Sequence, residues 1–341
     1  MQTRERHRRA TRTTVAVVTL GLVAVTAACA PIDGPSRRAE PAEVTTSHVR
    51  PLSPAPAAGT TPYASMWLWE NPVHATTDAR GRGYAEADVD VVAGFARAHG
   101  VSTVHVATPW ASGEGPVAAW LDEMSGALHG AGMTVSALGG DPSWLGDPSL
   151  AAQWTRDVAA ARLVDHVQLS VEPWTRPLWQ TDRPKAVAQW HAVMDAVRAE
   201  LPEGMSLGID APAWLASTSS GPHLSLMDGV MSRADSVAIV AFRDVAEGPD
   251  GVLALSADAR AEAAAAGVPY TIGLETDSPR VTGGPEYTFF DDGAAALEEQ
   301  AHIIDDALGS DENYQGIAVE RFRTWRDLVD PPAERFVGRE A

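Results

Sequence analysis

The chain has 341 residues, a formal charge of −19 and one cysteine. That charge repels nucleic acid and anionic lipid headgroups. A lone cysteine excludes an internal disulfide and a multi-thiolate metal site, so stability must come from a core that a chain of this length can build. Lys185 is the single lysine among 26 basic residues, which removes most lysine-based chemistry.

The first residues read as a targeting segment. Arg4, Arg6, Arg8, Arg9 and Arg12 precede an apolar run, Val15–Ala28, that closes on small residues before Cys29. A positive head, a short apolar middle and a small-residue tail describe a secretory signal over residues 1–28. The run falls short of the roughly 18–20 apolar residues that span a bilayer. Thr26-Ala27-Ala28-Cys29 resembles a bacterial lipoprotein cleavage box, with Thr26 where Leu is usual. The resemblance implies lipidation of Cys29, a membrane anchor and a place on the outer face of the cytoplasmic membrane. An ordinary signal peptide and a secreted protein are the alternative. Residues 29–62, rich in Pro, Ala, Ser and Thr, read as a disordered linker.

From Tyr63 the pattern is strand, loop, helix, repeated to the end, giving one domain over 63–341. Strands are expected at Ser65–Trp69, Thr103–Ala107, Thr134–Leu138, His166–Val171, Ser206–Asp210, Ser236–Ala241, Thr271–Glu275 and Gly316–Val319. Between them the periodicity predicts helices over Glu86–His99, Val117–Ala131, Ser149–Ala161, Pro184–Glu200, Gly251–Ala266 and Gly293–Leu308, with a weaker one near Leu224–Arg233. Gly100, Gly132, Gly267 and Gly309 stand where helices should stop. Eight strands alternating with helices match an α/β fold of the (β/α)8 TIM-barrel type. An open doubly wound sheet is the alternative, but no phosphate-cradling Gly-rich loop follows any strand.

Active sites of such barrels form at the C-terminal strand ends. There the sequence places Glu70, Asp141, Glu172, Asp210, Asp244, Glu275 with Asp277, and Glu320. Of the 11 tryptophans, Trp67, Trp69, Trp110, Trp144, Trp174, Trp179, Trp214 and Trp325 fall in or just after strands. Trp120, Trp154 and Trp190 fall in helices, where core packing is expected. Indole faces suit sugar rings. Carboxyl pairs suit glycosidic hydrolysis, in which one acid protonates the leaving oxygen and the other attacks or activates water. In Val164–Trp174, period-two alternation puts Gln168, Ser170 and Glu172 on one strand face, and Pro173 stops the strand behind Glu172.

Glu172-Pro173 ending strand 4 and Ile272-Gly273-Leu274-Glu275 ending strand 7 resemble the retaining 4/7 barrel glycoside hydrolases. That resemblance implies Glu172 as acid/base and Glu275 as nucleophile; Val171 stands where the superfamily usually has Asn. Asp165, Gln168, Ser170 and Glu172 are similar to the chitinase motif Asp-x-x-Asp-x-Asp-x-Glu, with Gln168 and Ser170 replacing the inner aspartates. Ile239–Asp244 is similar to the Met-x-Tyr-Asp strand of those enzymes, with Phe242 for Tyr.

The expected protein is therefore an exported, glycoside hydrolase-like lipoprotein acting on a polysaccharide or glycoconjugate. Glu172 and Glu275 would be catalytic. Trp69, Glu70, Trp110, Asp141, Trp174, Asp210, Trp214, Asp244 and Glu320 would bind substrate. The alternative is a non-catalytic carbohydrate-binding lipoprotein on a degenerate barrel. No cofactor or metal site is expected: His74, His105, His166 and His223 look scattered and lone histidines are more often structural, with a carboxylate-bound Mg2+ or Ca2+ as the alternative among so many acids. A two-lobed solute-binding protein fits poorly with one ring of strand ends.

Overall fold

The computed structural model describes residues 61–72, 87–109, 115–221 and 224–331. The signal, the Cys29 box, nearly all of the linker, His74, Trp110 and His223 lie outside the described residues.

Eight parallel strands close into a barrel: β1 Tyr63–Leu68, β2 Thr103–Ala107, β3 Thr134–Gly139, β4 His166–Leu169, β5 Ser206–Pro212, β6 Ser236–Val240, β7 Tyr270–Glu275 and β8 Tyr314–Glu320. Each pairs with its sequence neighbours, and β8 closes on β1. Helices lie between them: α1 Val89–Ala98, α2 Gly115–Gly130, α3 Pro148–Ala161, α4 Pro177–Thr181, α5 Arg183–Glu200, α6 Leu226–Met231, α7 Val252–Leu255, α8 Ala257–Ala266, α9 Pro279–Thr282, α10 Ala294–Leu308 and α11 Phe322–Val329. A two-stranded ribbon of Ser219–Gly221 and Leu224–Ser225 precedes α6.

Alternation along the strands explains both sides of the wall. Residues such as Met66, Leu68, Val104, Val106, Val167, Leu169, Ile272 and Leu274 belong to the large apolar core that the helices cover. Their neighbours in sequence point the other way. They include a small interior cluster of Trp67, Ala107, Leu138, Ala238 and Ala318. The helical tryptophans Trp120, Trp154 and Trp190 are buried in the outer core as expected. Two of them also satisfy their indole N–H, Trp120 on the Ala87 carbonyl (3.1 Å) and Trp154 on the Thr108 carbonyl (3.0 Å).

Helix ends follow local chemistry. Asp88, Asp147 and Asp182 cap α1, α3 and α5 through their carboxylates, and Ser225 with Asp228 forms a capping box on α6. Gly100, Gly132 and Gly267 adopt left-handed backbone (φ +70°, +86° and +66°) as helix stops. Gly309 instead keeps a helical φ of −60°. The expected Gly251–Ala266 helix is two, α7 and α8, divided at the buried Ser256. β4 is shorter than its pattern. The sheet releases the chain after Leu169, and Pro173 opens a 3-10 turn with Glu172 at its N-cap.

Candidate active site

A cleft of about 520 Å³ opens at the C-terminal strand ends. Its walls combine indoles from Trp67, Trp69, Trp144 and Trp174 with carboxyls from Asp141, Glu172, Asp210, Glu275, Asp277 and Glu320. Glu172 and Glu275, distant in sequence, thus face one space.

Their surroundings differ. Glu172 is exposed and makes no side-chain cap bond to the turn it opens. Glu275 is 6% exposed, and one of its oxygens accepts the backbone N–H groups of Thr276 and Asp277, each at 2.7 Å. Burial pushes its pKa up to about 7, against the pull of those two donors; Asp277 pushes the same way.

Asp210 holds the middle of the floor. Gln168 donates to its Oδ1 at 2.6 Å and Trp67 to its Oδ2 at 3.1 Å, and the Ser170 hydroxyl also bonds it. Burial lifts its pKa to about 7; the three donors oppose that, and the nearby Glu172 charge adds to it. Both oxygens accept bonds from the protein, so Asp210 braces the floor of the cleft that it lines. Gly208 makes the arrangement possible, because a Cβ there would stand 1.8 Å from Gln168 Oε1. Gly140 similarly lets the β3 end approach the Ser170 carbonyl, which a Cβ would meet at 2.3 Å.

On the opposite wall, Glu320 is the register partner of Glu275 and accepts the Trp69 indole N–H. Arg321, 4% exposed, bonds Asp277 at 3.2 Å and lies 3.6 Å from Glu70. Burial raises the Glu70 pKa and Arg321 lowers it.

Several expected site residues lie elsewhere. Glu70 does not line the cleft. Trp67 and Trp69 share the inward face, so Glu70 points behind them, buried near Arg321. Asp244 is also outside the lining: β6 ends at Val240, Phe242 takes the wall position, and the Asp244 backbone bonds Glu286. Trp214, 41% exposed, does not line the cleft and instead packs edge-on against Trp174 at 5.4 Å. Trp179 is buried in α4, and Trp325 packs against Tyr63 in the outer core. Asp141 lines the cleft while capping a 3-10 turn through the Ser143 N–H at 2.7 Å.

Trp67, Gln168 and Arg321 were not among the expected site residues. The first two were legible from strand parity, and Arg321 from its place directly after Glu320. Among the described residues, no trio of His, Cys, Asp or Glu is placed to hold a metal ion.

The fold is a (β/α)8 barrel with an acid- and indole-lined cleft at the usual end. Among solved structures it is similar to a GH18 chitinase from Pseudoalteromonas aurantia, with TM-score 0.50 and 12% identity over 76% of this chain and 94% of that one. It is also similar to the spore cortex-lytic enzyme SleL of Bacillus cereus (TM-score 0.47, 11% identity, 80% and 75% covered). A third is the GH113 β-mannanase AaManA of Alicyclobacillus acidocaldarius (TM-score 0.45, 15% identity, 77% and 87% covered). At these identities the likeness establishes the barrel and not an activity. The sequence matches no protein-family model and no curated protein.

Proposed function

We propose that this protein is a glycoside hydrolase acting on a polysaccharide or glycoconjugate, with Glu172 and Glu275 as its two working carboxyls. The observation that carries the reading is their difference in environment across one tryptophan-walled cleft. A buried acid whose pKa is pushed up to about 7 is protonated in a large share of molecules near neutral pH and can donate that proton, while its partner Glu172 stands exposed. We assign proton donation to the leaving oxygen to Glu275, and attack or water activation to Glu172. This reverses the roles that the 4/7 resemblance implies. Asp210 holds Ser170 and Gln168 in place.

Trp69 and Trp174 offer faces for sugar rings, with Asp141 and Glu320 beside them for hydroxyls. We further propose export by residues 1–28 and anchoring through a lipid on Cys29, with residues 29–62 as the spacer.

The test is hydrolysis of a polysaccharide panel and of aryl glycosides with graded leaving groups. Glu172→Gln should lose turnover on every substrate by about 10³-fold or more. Glu275→Gln should lose it on poor leaving groups and retain it on those that depart unprotonated. The opposite pattern restores the 4/7 assignment. Glycan binding that survives Glu172→Gln, with no turnover by the parent, would make this a carbohydrate-binding barrel.

A further inference from the structure

The cleft is smaller than the polymer proposed for it. Its volume of about 520 Å³ lies within the range of about 300–1,000 Å³ that encloses a ligand of drug size. It takes a short oligosaccharide, so a longer chain must run out over a rim. What stands on that rim decides whether the chain is held there or hangs in solvent.

Four indoles mark one way out. Trp179 on α4 and Trp190 on α5 are buried, while Trp174 is half-buried and lines the cleft. Trp214, on the turn after β5, is 41% exposed and is the one exposed tryptophan among the described residues. Trp174 meets all three others, with ring centroids 5.7 Å from Trp190, 6.3 Å from Trp179 and 5.4 Å from Trp214; Trp179 also meets Trp214 at 6.1 Å. Every one of these contacts is edge-to-face, the arrangement that suits the indole quadrupole. The four form a ladder from the core through the cleft wall to solvent, and Trp214 is its outer rung.

A single apolar residue scattered on a surface calls for no explanation. Trp214 is not of that kind. Two perpendicular partners hold its ring, and the Ser217 and Thr218 hydroxyls both donate to its carbonyl at 3.0 Å, which ties down the turn that carries it. A ring held in this way gives up little freedom when a ligand covers it. The exposed residues that follow are hydroxyls. Ser217, Ser219 and Ser220 each donate to a backbone carbonyl and keep oxygen lone pairs that can accept from outside. One ring among hydroxyls is too small an apolar patch for a protein interface, and the negative charge of the chain disfavours an anionic lipid surface.

We propose that Trp214 is an outer carbohydrate subsite, the platform that takes a glycan chain as it leaves the cleft over Trp174. The two indoles stand at 83° to each other, so a chain stacked on both turns as it crosses the rim. The inference rests on the carbohydrate reading of the cleft and not on hydrolysis.

The experiment is calorimetric binding of cello-, laminari-, manno- and chito-oligosaccharides, each of two and of six rings, to the purified full chain carrying Glu172→Gln. The same titrations are run with Trp214→Ala or Trp214→Tyr added. The glutamine keeps the ligands intact. Six rings should bind more tightly than two, and Trp214→Ala should cut that advantage about tenfold, as expected for a lost stacking contact. Trp214→Tyr, which keeps a flat ring, should restore most of it. In ¹H–¹⁵N spectra, six rings should shift the Trp214 indole N–H and two rings should not. An advantage untouched by Trp214→Ala, or an unmoved Trp214 indole N–H, would overturn the proposal. So would an equal loss at both lengths, which would mean that Trp214 only props Trp174. A dimer in sedimentation equilibrium, or flotation with phosphatidylcholine vesicles, lost in Trp214→Ala would assign the ring to a second copy or to a lipid surface instead. If no oligosaccharide binds at either length, the carbohydrate reading of the cleft falls and this subsite with it.

Discussion

Gly208→Ala is the sharpest test of how the cleft floor is held. The new Cβ would lie 1.8 Å from Gln168 Oε1, 2.8 Å from its Cδ and 3.2 Å from Ser236 Oγ. Gln168 is 4% exposed and lies between β3 and β5, so its amide cannot swing into solvent. It must move into a strained rotamer and give up its 2.6 Å bond to Asp210. Overpacking of this kind costs about 1–3 kcal/mol. Losing a hydrogen bond to a carboxylate costs about 1.5–3 kcal/mol. Replacing glycine within a strand returns about 0.5–1 kcal/mol. The balance is a loss of about 2–5 kcal/mol, or a Tm lower by roughly 5–15 °C for a domain of this size. Calorimetry at pH 5 and pH 8 measures it. The Asp210 carboxyl, followed by ¹³C NMR, should titrate higher than in the parent, since Gln168 is one of the donors that hold it down. A variant within 0.5 kcal/mol of the parent, with Asp210 titrating unchanged, would refute the bracing role of Gln168.

Further outcomes follow from the same geometry. Asp210 and Glu275 have folded pKa values of about 7, above the roughly 4 of the unfolded chain. The folded state therefore binds more protons between about pH 4 and 7, and stability should fall as pH rises through that window. Tm against pH should show this slope, and the double variant Asp210→Asn with Glu275→Gln should flatten it. Arg321→Met should destabilise by about 3–5 kcal/mol, because it removes the cation buried between Asp277 and Glu70; a urea midpoint near that of the parent would show that neither acid depends on it. Trp174→Ala should weaken glycan binding about tenfold or more while leaving the fold intact, read by isothermal calorimetry with circular dichroism as control. Cys29→Ala should release the protein from the membrane fraction and abolish labelling by radioactive palmitate.

The fold was legible because a barrel repeats one local signal eight times. β2 matches its sequence range at both ends, and every other strand lies within a few residues of its own. Parity then told that Gln168, Ser170 and Glu172 share one face, and the same rule applies to Trp67 with Trp69. It did not tell what they meet. Asp210 takes donors from β1 and β4, and no local pattern says that those strands and β5 converge on one carboxyl. Glu70 and Asp244 lie outside the cleft lining for a related reason. Standing just past a strand end says nothing about which way the next residue turns, and each followed its chain away from the cleft. His105 and His166 looked scattered in sequence, yet β2 and β4, on either side of β3, bring them to one pocket.

The bonds at Asp210 have a consequence for assembly. Trp67 belongs to the first strand of the sheet, Gln168 to the fourth and Asp210 to the fifth. A nascent chain that has emerged only as far as Leu169 holds two corners of this triangle and lacks the third. The cleft floor thus waits for the fifth strand, and a fragment ending at the fourth would hold Trp67 without the acid that ties it down.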